Sequence, residues 1–246
     1  MLLENFNNSY MTIVVLLSFL IFVIILKIFN QKNFQVFMDK DFKKPQAFHK
    51  KSTPRIGGLA SILAMVLFYI SFNLVFDFKN LDYLFFSILF FILGFLDDSK
   101  VTLKPSARLT LMIIVLIIGI NFFDIKISRT GFDFLNNLLE NSIFMTFFVI
   151  LCFLFIINGA NLIDGFNGLV IIHLIIINSV LLFLNLNNGF DNFDLFLTGQ
   201  LFVMFCFLLF NFPEAKMFLG DGGAYFLGLT TALNTEVTLA RTNETT

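Results

Sequence analysis

The sequence predicts an all-α polytopic membrane bundle with about seven to eight spans. Three observations carry that prediction. Of 246 residues, 58% are hydrophobic and only 13% charged, and mean hydropathy is +0.88; a soluble domain has about 25% charged residues and roughly 45–50% apolar ones. The apolar residues fall into runs close to the roughly 20 residues a helix needs to cross the hydrocarbon core. These runs are far longer than barrel strands, and backbone facing lipid must satisfy its own hydrogen bonds, which leaves the helix. The same composition excludes a soluble globular enzyme and a disordered chain. A net charge of −1 gives no electrostatic reason to expect a nucleic-acid partner.

Spans are expected at 10–29, 56–76, 82–96, 109–123, 142–160, 167–186 and 194–212. The first is no cleavable signal, because it is long enough to span and is preceded by Glu4 rather than a basic region. The third and fourth reach full length if their polar ends lie in the headgroup layer. An eighth run, 223–233, stops at Asn234 and is too short to span comfortably, so residues 1–234 read as one multi-pass domain that looks cut off, with 235–246 as a polar tail. Cys152 and Cys206 each lie inside an apolar run, without disulfide or zinc spacing, and read as packing residues.

Lys and Arg set the orientation. One side of this layout carries Lys27, Lys32, Lys40, Lys43, Lys44, Lys50, Lys51, Arg55, Lys100, Lys104, Arg108 and Lys216, 12 of the 16 basic residues. The other side carries Lys79, Lys126 and Arg129, and Arg241 stays unassigned with the tail. The positive-inside rule places the basic side in the cytoplasm and the N-terminus outside.

Four polar clusters fall on that basic side. They are His49 to Gly58 (with Thr53-Pro54-Arg55-Ile56-Gly57-Gly58), Gly94-Phe95-Leu96-Asp97-Asp98, Asn158 through Asp164 to Gly168, and Lys216 to Gly223 with Gly220-Asp221-Gly222-Gly223. They share one face only because the number of spans between them has the right parity. Two carboxylates at the C-terminal end of a helix oppose its dipole, so Asp97 and Asp98 call for a cation. Asp221 among glycines, with Asp164 and Asn161, adds hard oxygen donors that suit Mg²⁺ or Mn²⁺ rather than Zn²⁺. Lys and Arg beside such an ion suit a polyphosphate. Together the clusters point to phosphoryl chemistry on a nucleotide diphosphate at a membrane surface; singly each is weak.

These clusters, in order and at matching span positions, resemble the polyprenyl-phosphate N-acetylhexosamine-1-phosphate transferases. These are also called glycosyltransferase family 4 and include the phospho-N-acetylmuramoyl-pentapeptide transferases. The resemblance covers residues 40–230 and rests on Thr-Pro-Arg-x-Gly-Gly, Gly-x-x-Asp-Asp, Asn-x-x-Asn-x-x-Asp-Gly and Gly-Asp-x-Gly. It implies transfer of a sugar-1-phosphate, N-acetylglucosamine-1-phosphate first among candidates, from a UDP-N-acetylhexosamine to undecaprenyl or another polyprenyl phosphate. UMP is released, and Mg²⁺ or Mn²⁺ is the cofactor. The alternative donor carries a muramoyl-pentapeptide. The implied place is the bacterial inner (plasma) membrane, with the active face cytoplasmic, as a first membrane step of a cell-wall, lipopolysaccharide or other envelope glycan. A homodimer is compatible with this reading, and no feature requires one.

By motif, Asp97 and Asp98 resemble the family's catalytic aspartate pair, Asp221 its metal ligand and Asn161 an amide that shares the metal in some members. Asp164 and Asn167 match positions on the uridine side. Arg108 resembles the basic residue that holds the pyrophosphate, one residue further along than the family pattern, with Lys104 as substitute. His49 and Arg55 fall in the basic loop as substrate-binding candidates, with a structural-loop role for His49 the equal alternative. Asn167 departs from the commoner Asp-Gly-x-Asp-Gly form. The family continues through further spans and a His-containing cytoplasmic loop that helps select the sugar. This chain has only His49 and His173, so a fragment or truncated product, inactive by itself, is expected, against the alternative that the rest is dispensable.

Plainer readings apply elsewhere. His173 is expected packed or helix-bonded. Lys43, Lys44, Lys50 and Lys51 fit topology or anionic lipid as well as phosphate. Pro54, Gly57 and Gly58 fit a chain break and close helix packing better than substrate contact. Asp77, Asp82, Asp124, Asp133, Asp191 and Asp194 read as solvated residues of the opposite side. The rival class is an ion-coupled transporter, whose acids tend to lie mid-span; here they stand at span ends. A non-catalytic membrane protein that retains the motifs is the remaining alternative.

Overall fold

The computed structural model of the chain describes residues 2–29, 38–39, 53–99, 101, 103–127, 129–186 and 189–244. His49, Lys32, Lys40, Lys43, Lys44, Lys50, Lys51 and Lys100 lie outside the described residues. Among those described, nine helices run in the order α1 (Leu2–Phe29), α2 (Gly57–Phe76), α3 (Leu81–Asp98), α4 (Pro105–Phe123), α5 (Asp133–Leu139), α6 (Ser142–Ile163), α7 (Leu169–Leu186), α8 (Asn192–Asn211) and α9 (Gly220–Glu244). Two two-residue strands, β1 (Met38–Asp39) and β2 (Thr53–Pro54), pair antiparallel before α2.

The seven expected spans correspond to α1, α2, α3, α4, α6, α7 and α8. Six of them are long and apolar enough to cross a membrane by length and composition. The seventh, α3, carries Asp82, Asp97 and Asp98 at its two ends. The short α5 explains the polar stretch between α4 and α6.

The expectation for the last segment is corrected. Instead of an 11-residue run followed by a tail, α9 is one helix of 25 residues, Gly220–Glu244, about 37 Å long at 1.5 Å per residue. It is the central helix, packed against α2, α3, α6 and α7, and residues 222–234 are all buried. Hydropathy fails to mark it because its polar side chains are satisfied by neighbouring helices rather than by water. Asn234 accepts a hydrogen bond from the Tyr83 hydroxyl (2.8 Å) and donates to Asn178 (2.6 Å) and Gln200 (2.7 Å). Asn178 donates to Thr231 and Asn185 to Thr238, both at 2.8 Å. Those two pairs are seven residues apart on each helix, the repeat expected where parallel helices keep one seam in contact. Interhelical hydrogen bonds and close van der Waals packing hold such a bundle together, because apolar burial gives little drive between helices already in lipid.

The end of the bundle opposite the charged clusters is also built, which corrects the reading of Asp194 as solvated, while Asp191 is exposed as expected. Asp191 caps α8 by accepting from the Phe193 and Asp194 amides, and Asp194 answers by accepting from the Asp191 amide. Asp194 is fully buried. Arg241, at the far end of α9, makes two bonds to Asp191 (2.6 and 3.2 Å) and lies over the Phe193 ring. His173 is corrected as well: it faces outward on α7 and is exposed rather than packed. Cys206 is buried as expected and Cys152 half-buried.

Candidate active site

The described residues of the four sequence clusters, from Thr53 in the first, converge at one end of the bundle, where α3 and α6 finish and α2, α4 and α9 begin. The convergence starts with backbone. The Phe218 amide donates to the Pro54 carbonyl (2.9 Å), and the Gly57 and Gly58 amides donate to the Phe218 and Leu219 carbonyls (both 2.8 Å). The first orphan amides of α2 are thus satisfied by the segment that leads into α9. Asn211 ties in the α6–α7 turn, accepting from the Gly168 amide (2.6 Å) and donating to the Met217 carbonyl (2.9 Å).

Glycine lets these backbones touch. A Cβ on Gly58 would stand 2.5 Å from the Gly223 amide nitrogen, and one on Gly94 would stand 2.5 Å from the Asp221 carbonyl. Gly220 has φ of 76°, a conformation that L side chains rarely adopt, and a Cβ there would also meet the Asp98 carboxylate at 2.6 Å. Close packing at Gly57-Gly58 agrees with the plainer sequence reading.

On this frame the charged side chains sort themselves. Asp98 is buried, and its two oxygens accept from the Asp221 (3.0 Å) and Gly222 (2.9 Å) amides. It ends α3, where a negative charge is unfavourable, yet it sits at the positive end of α9, where a carboxylate is favoured. Asp97 accepts from Arg108 and from the Leu103 amide (3.3 Å). Arg108 also stands 3.6 Å from Asp221 and lies 5.5 Å above the centre of the Tyr225 ring. Tyr225 is fully buried, and its hydroxyl accepts from the Asn161 amide at 3.3 Å. One connected cluster therefore runs Asp97–Arg108–Asp221 and Arg108–Tyr225–Asn161, with Asp98 fixing the start of α9 beside it. The cation that the paired aspartates call for is, for Asp97, Arg108. The one-residue shift in the Arg108 spacing does not keep it out, and Lys104 is exposed at the start of α4.

Asp164, just past the end of α6, feels the same charges. Burial and the like charges of Asp221 and Asp98 push its carboxyl from 3.8 up to about 7, against the opposing pull of Arg55. Arg55 thus belongs to the electrostatic surroundings of the cluster, although it comes from the segment before α2. Asn167 is exposed and donates to the Pro213 carbonyl (3.1 Å), linking the α6–α7 turn to the segment before α9. Sequence reasoning missed Tyr225, because an aromatic inside an apolar run reads as packing. The available signal was its place four residues after Asp221, on the same helix face.

The donor chemistry fits a hard divalent ion. The cluster offers carboxylate and amide oxygens on three helices, and beyond burial, the largest cause, the like charges of Asp221 and Asp98 help raise the Asp164 carboxyl, a repulsion that a cation would relieve. Among the described residues no three His, Cys, Asp or Glu form a ready ligand group. Mg²⁺ does not need one: it keeps several waters and is commonly bound by one or two carboxylates plus substrate phosphates.

The chain is similar to known proteins. Phospho-N-acetylmuramoyl-pentapeptide-transferase of Clostridium perfringens (strain 13 / Type A) is 30% identical over 194 residues, covering 75% of this chain and 61% of the relative. The protein of the same name from Geobacillus sp. (strain WCH70) is 30% identical over 237 residues, covering 90% and 73%. The one from Streptococcus pneumoniae (strain CGSP14) is 30% identical over 222 residues, covering 82% and 65%. The chain spans about three fifths of the length of the Clostridium relatives, 61% and 60%. A sequence model described as glycosyl transferase family 4 matches residues 80–236, from the start of α3 into the second half of α9. With that match over more than half its length, the chain belongs to glycosyl transferase family 4.

Proposed function

We propose that this chain carries the cytoplasmic-face site of an inner-membrane (plasma-membrane) enzyme that transfers an N-acetylhexosamine-1-phosphate from a UDP-sugar to polyprenyl phosphate and releases UMP. The observation that carries the proposal is the Asp97–Arg108–Asp221 cluster at the end of an apolar bundle. There a water-soluble donor and a lipid phosphate can meet while the lipid tail stays in the bilayer.

The acceptor phosphate has a second pKa near 6 and is mostly dianionic at pH 7, so it needs little activation. Its oxygen forms a bond to the β-phosphorus as the bond from that phosphorus to the bridging oxygen of UMP breaks, and UMP leaves with the electron pair. Arg108 and Arg55 draw the two anions together and oppose the charge on the pyrophosphate. Asp97 aims the Arg108 guanidinium, and Asp98 keeps the start of α9, and so Asp221, in place. Asp221 and Asn161 would hold Mg²⁺ or Mn²⁺, which supplies charge neutralisation between the two phosphates. Asp164 and Asn167 stand on the proposed uridine side.

Two donors are in play. N-acetylglucosamine follows from the family resemblance at its broadest. The printed name of the relatives favours the muramoyl-pentapeptide donor, and with it cell-wall biogenesis. The test is UMP release by the purified chain in detergent with undecaprenyl phosphate, each donor in turn, and Mg²⁺ or EDTA. Binding of one UDP-sugar is expected, with lipid-dependent and metal-dependent UMP if this length of chain turns over by itself. No UMP and no binding of either UDP-sugar overturns the reading.

A further inference from the structure

Tyr225 is a fully buried side chain that touches both halves of the site. Its ring lies under Arg108, and its hydroxyl accepts from the Asn161 amide nitrogen. An amide side chain has a donor end and an acceptor end. Holding the Asn161 nitrogen against Tyr225 leaves the Asn161 carbonyl oxygen, a hard acceptor, as the end turned away from that hydroxyl. The ring does separate work. A guanidinium within about 6 Å of an aromatic face is attracted to it, and here that face supports the cation shared by Asp97 and Asp221. The i, i+4 spacing from Asp221 puts the phenol and the carboxylate on one face of α9, so a single helix presents both.

We propose that Tyr225 is a positioning residue with two separable parts: the hydroxyl orients Asn161 so that its oxygen serves a divalent cation, and the ring holds Arg108 for the donor pyrophosphate. This rests on the reading under Proposed function. Tyr225→Phe keeps the ring and removes only the contact between the Tyr225 hydroxyl and the Asn161 amide, and a purely structural role would not divide the two affinities.

The test measures two affinities on the detergent-solubilised chain: Mn²⁺ by electron paramagnetic resonance, and UDP-N-acetylglucosamine and UDP-N-acetylmuramoyl-pentapeptide by calorimetry with EDTA. Tyr225→Phe is expected to weaken Mn²⁺ by about tenfold, the size of effect that outer-shell partners of metal ligands show. The affinity for whichever donor binds is expected to stay within twofold. In an Asn161→Ala background the same change is expected to alter Mn²⁺ affinity less than twofold, because the contact is already gone. No Mn²⁺ binding by the unaltered chain overturns the metal reading and this assignment together. Mn²⁺ binding that Tyr225→Phe leaves unchanged, or a parallel loss of both affinities, overturns the assignment alone.

Discussion

Asp98 offers the sharpest test of how the site is built. Its carboxylate accepts from two amides in the first turn of α9, Asp221 at 3.0 Å and Gly222 at 2.9 Å, from a buried position. Hydrogen bonds to a charged group contribute about 1.5–3 kcal/mol each, and loss of an N-terminal cap costs about 0.5–2 kcal/mol. The two estimates overlap in what they count, so Asp98→Ala is expected to destabilise the chain by about 2–4 kcal/mol. Asp98→Asn keeps one acceptor oxygen and turns a donor toward the other amide, and it also removes a negative charge from beside Asp221. It should cost about half as much or less. The assay is reversible unfolding in mixed micelles, together with hydrogen exchange at the Asp221 and Gly222 amides. Both amides should exchange faster in the alanine variant than anywhere in the middle of α9. If Asp98 served chemistry alone, Asp98→Ala would unfold at the wild-type denaturant concentration with unchanged protection of those amides, and that result would refute the capping argument.

Three further outcomes follow from the same geometry. Gly58→Ala and Gly94→Ala place a Cβ 2.5 Å from backbone of α9 and should each cost about 1–3 kcal/mol, whereas Gly159→Ala, with nothing within 4 Å, should be neutral or stabilise by about 0.5–1 kcal/mol; equal effects at the three sites in micellar unfolding would contradict the packing. Asn234→Leu strips partners from Tyr83, Asn178 and Gln200, and at about 0.6 kcal/mol per interhelical bond in a membrane protein it should destabilise by about 2 kcal/mol, measured the same way with Asn178→Leu as the coupled partner in a double-mutant cycle. Asp164 carries a proton more tightly folded than unfolded, with its carboxyl raised from 3.8 to about 7. The folded state therefore holds more protons between those values, so stability should fall as pH rises from about 4 to about 7 and level off above; Asp164→Asn should flatten that slope, and a pH profile of unfolding that is identical in the two proteins would remove Asp164 from the charge cluster.

How much was legible depended on the kind of residue. Apolar runs marked seven helices, because a span is defined by composition over about 20 residues. The polar motifs marked the site, because span parity alone brings Arg55, Asp97, Arg108, Asp164 and Asp221 to one end. Residues whose partners come from another helix were not legible. Asn234 and Thr238 read as the end of a span and a tail. Two other misreadings were of burial: His173 read as packed and is exposed, and Asp194 read as solvated although it is fully buried in the α8 cap.

The sequence by itself determined the class, the layout of its spans and the side on which its chemistry collects, because hydropathy and parity are sums along one chain. Only the tertiary structure decided that α9 is the buried centre of the bundle, that Asp98 caps it, and that Arg108 bridges Asp97 and Asp221 above Tyr225. The reason is physical: the cost or benefit of a buried polar group depends on the partner it meets, and each of these partners lies on a different helix from the residue it satisfies.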